Sequence, residues 1–277
     1  MIAVVVLTHN RAHLLKLCVE NVLQRTSATT REIVIWDNAS SDETQEYLAG
    51  LTDSRINVVR RETNTGTSAY ADAVALTTSP YIVELDDDVI EAPDRWDETM
   101  LHAFQKIPNI GHLAADLKED LNDSAYCYLR YVKETKNPFV RREIDGIRIL
   151  EGPTPGGCAM TSREVYNRVG GFRKHKKLVF WHETEAYVRD VRRHGYRTAI
   201  LEDLQVWHAG APYYSEPSPA KLEFHVHRAR SKARKDRIKR AILLVPLAKA
   251  LNSRYRFFAP PDQYKPPDFR ARKQGST

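Results

Sequence analysis

The chain has 277 residues, of which 42% are hydrophobic, and this is enough for one large α/β domain with a substantial core. Its three cysteines are odd in number and form no CxxC pair, which excludes a disulfide framework and favours a reducing compartment. No segment has the roughly 18 uninterrupted apolar residues of a membrane span. The apolar run from Ile2 to Leu7 has the pattern of a strand and not of a signal peptide. We therefore expect a cytoplasmic protein, at most peripheral at the inner face of a membrane.

The net charge of +6 is unevenly distributed along the chain. From Lys221 to Thr277 there are 16 Lys/Arg against 4 Asp/Glu, a net charge of +12, whereas residues 1–220 carry a net charge of −6. The pattern indicates a slightly acidic body followed by a strongly basic extension.

The first half of the chain alternates strand and helix patterns. The predicted strands are Ala3–Leu7, Glu32–Trp36, Asn57–Arg60 and Tyr81–Leu85. The predicted helices start after a cap at Asn10, after a capping box of Ser40 and Glu43, and at Thr67. Strands that alternate with helices predict a mostly parallel sheet.

Polar residues follow three of these strands. They are Thr8–Arg11, Asp37-Asn38 and Asp86–Asp88. Ligands of such sheets bind at the carboxyl ends of the strands, so the coincidence points to a functional site at that edge.

The second half is less regular. Its predicted elements are a Gly/Pro-rich loop at Glu151–Gly157, a helix between Ser162 and Gly170, a helix over Glu183–His194, and a strand over Thr198–Leu201 that precedes Val206–His208. From Ala220 onward the chain is basic and amphipathic, then rich in proline.

Asp86, Asp87 and Asp88 form the strongest local feature. Three successive carboxylates at the end of a buried strand repel one another, and a divalent cation would relieve that repulsion. The alternative is an acidic turn that caps a helix. The buried strand before the triplet and the polar ends of the other strands favour metal binding.

Several motifs in order resemble the inverting family 2 glycosyltransferases of the GT-A fold. They are VVVLTHNR, IVIWDNASSDET, NTG, SPYIVELDDDV, GGCAM, VGGF, WHETEAYVRD and VWH, between about Ile2 and about Gly210. The resemblance implies an α/β, Rossmann-like, mostly parallel central sheet flanked by helices, with a basic helical C-terminal extension. It also implies a nucleotide-sugar-binding half at 1–115, an acceptor-binding and catalytic half at 116–215, and the extension at 216–277.

The same resemblance assigns roles to the strand-end residues. The residues implied to bind the nucleotide-sugar are Thr8, Asn10, Arg11, Asp37, Gly66, Asp86, Asp87, Gly157 and Trp181. Asp37 would accept a hydrogen bond from the base, which favours uracil because its edge offers an N–H donor. Asp86 would lie near the ribose, and Asp88 and His208 would hold Mn²⁺ or Mg²⁺. The simpler alternatives are a turn at Asp37-Asn38, a structural histidine, and a core tryptophan at position 181.

By the same resemblance, the catalytic base lies at the start of the Glu183 helix. Glu183 matches the family position, with Glu185 as the second candidate; both could instead only compensate the helix dipole. Glu183 would deprotonate an acceptor hydroxyl, which attacks the anomeric carbon opposite the leaving nucleotide and inverts its configuration. One departure from the family is Ala71-Asp72, where many members have Arg-Asn.

The basic extension admits three interpretations. The run RARSKARKDRIKR at 228–240 precedes AILLVPLAKAL, which is too short to span a bilayer. It could lie on an anionic membrane surface, or pack its apolar face on the body. Binding to nucleic acid is not expected, since no recognisable nucleic-acid motif accompanies the charge.

Two other functions compete with glycosyl transfer from a UDP-sugar to a hydroxyl acceptor, such as a glycan or lipid-linked glycan. A catalytically silent nucleotide-sugar-binding or scaffold protein could keep the same fold. A nucleotidyltransferase would carry a Gly-rich basic loop after the first strand, but Thr8–Arg11 contains no glycine. The sequence identifies neither the sugar, nor the acceptor, nor the oligomeric state.

Overall fold

A computed structural model describes residues 1–119, 126–127, 139–174, 183–209, 230 and 233–255. The chain divides into two compact units, 1–215 and 216–277. The described part of the first unit is built around one eleven-stranded sheet, and that of the second unit is helical. This is the mixed α/β architecture, with a central sheet flanked by helices, that the sequence predicts.

The elements are numbered here in chain order. The strands are β1 (Ile2–Thr8), β2 (Thr30–Asp37), β3 (Ile56–Arg60), β4 (Tyr81–Asp86), β5 (Val89–Glu91), β6 (Ile110–Glu119), β7 (Tyr126–Cys127), β8 (Val140–Ile144), β9 (Ile147–Glu151), β10 (Cys158–Ser162) and β11 (Arg197–His208). The helices of the first unit are α1 (Ala12–Arg25), α2 (Thr44–Ala49), α3 (Ala69–Val74), α4 (Trp96–Lys106), α5 (Arg163–Val169) and α6 (Glu183–Arg193). A 3₁₀ turn, Gly66–Ser68, precedes α3. The second unit contains α7 (233–243) and α8 (Pro246–Tyr255).

Nine of the eleven strands lie side by side in the order β3-β2-β1-β4-β10-β6-β11-β9-β8. The first four strands pair in parallel, with Thr8 opposite Asp37 and Leu7 opposite Asp86. Their carboxyl ends therefore lie at one edge, as the sequence predicts. The second half adds antiparallel pairs, because β10 runs antiparallel to both β4 and β6, and β9 antiparallel to β11. The parallel β6–β11 pair extends the sheet so that His208 ends β11.

Alternating side chains of the strands fill a core on each face of the sheet. Val4 and Val6 of β1 join the cluster that contains Trp96 and Met100 of α4, whereas Val5 joins the other cluster. That second cluster includes residues of α3 and α6, such as Ala73, Tyr187 and Val191. Helices on both faces thus hold the sheet edge in a fixed position.

Two predicted helix starts are wrong, for the same reason. Asn10 has a φ of 53°, α1 starts two residues later at Ala12, and its N-cap residue Arg11 makes no side-chain capping hydrogen bond. The Asn10 carboxamide instead accepts a hydrogen bond from the Ser41 amide at 2.7 Å. Ser40 accepts from the Asn10 amide at 2.9 Å, and α2 starts only at Thr44. Both capping residues are used to join the loops after β1 and β2.

The later predictions hold more closely. Ser162 caps α5 by accepting a hydrogen bond from the Val165 amide at 3.1 Å, and Gly170 ends that helix at a φ of 91°. The strand predicted at Thr198–Leu201 is part of β11, which continues to His208 through a register irregularity between Leu201 and Gln205. Within the described ranges, no helix has the length and apolar character needed to cross a membrane.

A buried carboxylate fixes α4 against the loop before β2. Asp97 is fully buried and accepts hydrogen bonds from the Ser27 amide at 3.1 Å, the Ser27 hydroxyl at 3.0 Å and the Thr30 hydroxyl at 2.7 Å. Because hydrogen bonds to a charged group are strong and the buried Thr30 hydroxyl cannot reach water, this contact contributes to stability.

We predict that Asp97→Ala lowers the free energy of unfolding by about 3 kcal/mol, since it leaves the buried Thr30 hydroxyl and two donors of the half-buried Ser27 without their acceptor. Urea denaturation followed by circular dichroism would measure the loss. Asp94→Ala is the matched control: the Asp94 side chain is 72% exposed and pairs with Arg25, so its loss should cost at most about 1 kcal/mol. Equal effects of the two variants would contradict the role given to Asp97.

Candidate functional site

The carboxyl end of β2 carries a buried carboxylate that faces the loop after β1. Asp37 is fully buried, and its Oδ1 accepts a hydrogen bond from the Ser40 amide at 2.9 Å. Its Oδ2 has no hydrogen-bond partner in the part of the chain that the structure describes. A buried carboxylate oxygen without a donor is costly, and a ligand N–H would relieve that cost.

The adjacent Asn38 holds a glycine turn beside this strand end. Its carboxamide nitrogen donates to the Gly66 carbonyl at 3.0 Å, and its oxygen accepts from the Thr65 amide at 2.9 Å. Gly66 has a φ of 59°, a conformation that favours glycine. These contacts bring Gly66, which lies 28 residues after Asn38, to the same edge of the sheet. Asn38 is therefore more than a turn residue.

The acidic triplet meets His208 at the ends of β4 and β11. One ligand atom from each of Asp86, Asp88 and His208 lies within 4.8 Å of the other two. The His208 Nε2 atom is 3.3 Å from an Asp86 oxygen and 3.1 Å from an Asp88 oxygen. His208 lies 120 positions after Asp88 in the sequence, and the pairing of β11 with β5 places it opposite Val89, the residue that follows the triplet.

Gly157 forms part of the wall of this cluster. It has a φ of 88°, and its carbonyl accepts a hydrogen bond from the Asp86 amide at 2.8 Å. A β-carbon at this position would lie 3.4 Å from the Asp86 carboxylate and 3.7 Å from the His208 ring. The glycine predicted to border the sugar thus lies directly against two of the proposed metal-site residues.

Arg11 provides the positive charge closest to the middle of the triplet. Its guanidinium lies 2.5 Å from an Asp87 oxygen and 3.2 Å from an Asp88 oxygen. Burial, opposed by Arg11 and reinforced by the Asp88 charge, raises the pKa of Asp87 to about 6. Arg11 and Asp87 therefore form a buried ion pair. Arg11 also contacts Asp88, so its guanidinium lies against one residue implied to bind the nucleotide-sugar and one implied to bind the metal.

Opposite charges also govern Asp88 and His208. Burial opposes ionisation of Asp88, but His208 and Arg11 outweigh it and hold the pKa of Asp88 below its ordinary value. Burial likewise opposes a charge on His208, but Asp88 and Asp86 outweigh it and raise the pKa of the ring well above its ordinary value. A proton on His208 thus balances the carboxylates in the described geometry.

This donor set fits a divalent cation. Two carboxylates and one imidazole nitrogen are ligands that Mn²⁺ accepts, and Mg²⁺ shares the preference for oxygen. A bound divalent cation would replace the His208 proton as the positive charge that balances these carboxylates. Asp86 belongs to this cluster, whereas the family resemblance implies that it lies near the ribose of the nucleotide.

Tyr70, Glu84 and Thr184 contribute to the site but were not identified from the sequence. The Tyr70 hydroxyl donates to the Asp86 carboxylate at 3.2 Å. Glu84, buried in β4, accepts a hydrogen bond from the Thr184 hydroxyl at 2.6 Å and so ties the first turn of α6 to the sheet. The only sequence signal was a glutamate within an otherwise apolar strand, YIVEL.

The structure describes some of the remaining predicted site residues fully and others only in part or not at all. Thr8 is buried at the end of β1, and Asn10 is exposed in the loop that follows. The backbone of Glu183 starts α6, and Glu185 is exposed on that helix. The Glu183 side chain and the whole of Trp181 lie outside the described residues.

Comparison with known proteins gives the class. The model of the family "Glycosyl transferase family 2" matches residues 3–170, more than half of the chain, so this protein belongs to that family. The uncharacterized protein y4gI of Sinorhizobium fredii is 24% identical over 226 residues, which cover 75% of this chain and 24% of y4gI. The putative colanic acid biosynthesis glycosyl transferase WcaA of Escherichia coli is 28% identical over 109 residues, 39% of each chain. The matches thus span about a quarter and two-fifths of these relatives.

Solved structures share the fold. GalNAc-T7, determined with UDP, GalNAc and Mn²⁺, has a TM-score of 0.58 at 16% identity, over 83% of this chain and 48% of the other. The mannosyltransferase PcManGT of Pyrobaculum calidifontis, determined with GDP-Man and Mn²⁺, has a TM-score of 0.55 at 20% identity, over 82% and 60%. S. aureus TarS has a TM-score of 0.54 at 15% identity, over 75% and 60%. The chain therefore has the GT-A fold.

We predict that Mn²⁺ binds more tightly as pH rises. The raised pKa of His208 means that the ring stays protonated through neutral pH, and an ion must displace this proton to reach Nε2. One proton released per ion strengthens binding about ten-fold for each pH unit below that pKa, and the effect levels off above it. Isothermal titration calorimetry with Mn²⁺ alone, from about pH 6.5 to about pH 8, would measure the slope.

His208→Asn should weaken Mn²⁺ binding and flatten its pH dependence. The exposed His102 on α4 offers a matched control, since His102→Asn removes an imidazole that is not part of the Asp86–Asp88–His208 cluster and should leave the slope unchanged. Wild-type affinity that does not vary with pH would exclude His208 as a ligand that gives up a proton.

Proposed function

We propose that this protein is a metal-dependent inverting glycosyltransferase that moves a sugar from a nucleotide-sugar, with a UDP-sugar favoured, to a hydroxyl acceptor such as a glycan or lipid-linked glycan. The observation that carries the proposal is the cluster of Asp86, Asp88 and His208, at the same sheet edge as the buried Asp37. Membership of glycosyl transferase family 2 supports the reaction class.

Asp88 and His208 would hold Mn²⁺ or Mg²⁺, with Asp86 beside them. When bound, the ion supplies a Lewis acid that neutralises charge on a departing diphosphate. Two structural neighbours, one determined with UDP, GalNAc and Mn²⁺ and one with GDP-Man and Mn²⁺, support a nucleotide-sugar donor with a divalent ion. The Arg11 pair would fix Asp87 and Asp88 in position so that the ion enters a preformed site.

Asp37 would recognise the base of the donor. Its Oδ2 is buried and its Oδ1 is already held by the Ser40 amide, so the free oxygen is suited to accept one N–H from a uracil edge. Thr8 and Asn10 would line the nucleotide pocket with Asp37. The Gly66 turn, held by Asn38, would let the backbone approach the nucleotide closely.

Glu183 would act as the general base at the start of α6. It would take the proton of the acceptor hydroxyl, whose oxygen then attacks the anomeric carbon from the face opposite the nucleotide; that bond forms as the bond to the diphosphate breaks. The hydrogen bond from Thr184 to the buried Glu84 would hold this turn of the helix at a fixed distance from β4. Gly157 and Trp181 would border the sugar.

The donor would bind residues 1–115 and the acceptor residues 116–215, so that the two substrates meet between β4 and α6. We also assign the protein to the cytoplasm, because its buried cysteines Cys18 and Cys158 are free thiols, which a reducing compartment preserves.

We predict that Glu183→Gln lowers the turnover number by about 10²–10⁴-fold and leaves donor binding within about two-fold, since the amide keeps the shape but cannot accept a proton. A thermal-shift screen of UDP-, GDP- and dTDP-sugars with Mn²⁺ would first select the donor. Release of the nucleoside diphosphate, with water as the acceptor, would then report turnover, and calorimetry would report binding.

Glu185→Gln is the matched control, two residues along the same helix, and should retain turnover close to that of the wild type. A large loss in Glu185→Gln alone would move the base to that residue. Donor binding without any turnover in the wild-type protein, with water or with candidate acceptors, would favour the silent nucleotide-sugar-binding protein instead.

We predict that Asp37→Asn weakens UDP binding about ten-fold or more, because a hydrogen bond to a charged acceptor is replaced by one to a neutral amide. Calorimetry with UDP and with GDP, each with Mn²⁺, would measure the change. Glu43→Gln, on an exposed carboxylate of the same loop, should leave both affinities unchanged. Equal affinity of the wild-type protein for UDP and GDP would contradict the assignment of uracil.

A further inference from the structure

The second unit presents apolar side chains to solvent at unusual density. Of the ten exposed large apolar residues in the described parts of the chain, six lie between 238 and 251. They are Ile238, Ile242, Leu244, Val245, Leu247 and Leu251. The described part of the first unit, which has about eight times as many residues, exposes only four. Large exposed apolar patches mark surfaces that bind a partner or a membrane.

Three of these residues form a continuous ridge. Ile238, Ile242 and Val245 follow one another at helical spacing, and the hydrogen bond from the Val245 amide to the Ile242 carbonyl continues the turn past the end of α7. Ile238 is 52% exposed and Val245 is 53% exposed. The half-buried residues of α7 lie on its other side, at Asp236, Lys239 and Leu243. The apolar ridge therefore lies on the solvent-exposed face of the helix.

Cations border this ridge. Arg234 and Lys235 lie four and three positions before Ile238, on the same side of the helix, and both are exposed. Lys249 continues the ridge after Val245, since its amide bonds to the Val245 carbonyl at 3.0 Å. Between 228 and 240 the sequence has eight Lys/Arg and a single acidic residue, Asp236, which lies 3.6 Å from Lys239.

We propose that this surface, the exposed face of 234–251 that carries the ridge and its bordering cations, docks on the anionic headgroups of a lipid bilayer. The cations would contact the headgroups, and the Ile238–Ile242–Val245 ridge, with the exposed Leu244 and Leu247, would enter the boundary between headgroups and acyl chains. Neither helix is long enough to span the bilayer, so the segment lies along its surface.

The combination of cations and an apolar ridge argues against two other partners, a nucleic acid and a second copy of the chain. A nucleic acid would use the cations but would leave the apolar ridge in water. A second copy of the chain would cover the ridge but would bring two strongly basic segments together, which is electrostatically unfavourable. Among a bilayer, a nucleic acid and a second copy, the anionic bilayer alone satisfies both the cations and the ridge.

Two full-length variants separate the contributions. Ile238→Ser/Ile242→Ser/Val245→Ser removes the ridge at constant charge, and Arg234→Gln/Lys235→Gln/Arg237→Gln/Arg240→Gln removes four exposed cations at constant apolar surface. Matched controls change exposed residues of the first unit, namely Leu17→Ser/Leu76→Ser/Val140→Ser and Lys16→Gln/Arg31→Gln/Arg141→Gln/Arg168→Gln. Thermal melting of every variant confirms that it folds.

Flotation with phosphatidylcholine vesicles that contain about 30% phosphatidylserine would measure partitioning, with pure phosphatidylcholine as the neutral comparison. We expect the wild type and both controls to float with the anionic vesicles only. Since each cation near such a surface strengthens partitioning about five-fold, the charge variant should lose at least about 20-fold. The ridge variant should lose about ten-fold or more.

The proposal is overturned if the wild-type protein does not float with the anionic vesicles. It is also overturned if the ridge variant floats as well as the wild type, because the contact would then be purely electrostatic. A DNA duplex that releases the wild-type protein from vesicles and binds the ridge variant equally well would identify nucleic acid as the partner. Dimerisation that is lost in the ridge variant, without flotation, would identify a second copy.

Discussion

The balance of charge at the end of β4 is the constraint on which the rest of the site depends. Three successive carboxylates, two of them almost fully buried, can remain together only where positive charge surrounds them. Arg11 supplies it from the loop after β1, and His208 supplies it from the end of β11. A strand from each half of the sheet must therefore be correctly paired before the buried acidic triplet is stable. The contacts of Arg11 and His208 with the triplet couple the folding of the two halves.

The sheet topology determines which residues can take part. Parallel pairing of β1, β2 and β4 puts Thr8, Asp37 and Asp86 at one edge, and the loops that leave these strands bond to each other instead of capping their helices. The second half of the chain reaches the same edge through β11, whose partner β6 is parallel to it. Residues that are distant in sequence become neighbours because both sets of strands point in the same direction.

The sequence pattern predicts the parallel half of the sheet, and the family resemblance implies Asp88 and His208 as metal ligands. The structure brings these two residues together with Asp86, which the resemblance places near the ribose. The sequence pattern failed where a polar side chain had two competing partners: Asn10 and Ser40 have the chemistry of caps, but only the tertiary structure decides that they bond across loops. It also missed Tyr70 and the Glu84–Thr184 contact, since nothing in a local pattern indicates which buried hydroxyl meets which carboxylate. Long-range hydrogen bonds of this kind leave no periodic pattern in the sequence.

Gly157 shows how little room the site has for variation. Its left-handed backbone would strain any other residue, and even a methyl group there would lie 3.1 Å from Leu117 as well as close to Asp86 and His208. The hydrogen bond from the Asp86 amide fixes the position of that backbone. In the proposed site, the loop before β10 would therefore act as a spacer of fixed thickness. It would set how near a bound molecule can come to the carboxylates, so that a larger ligand would need room elsewhere in the protein.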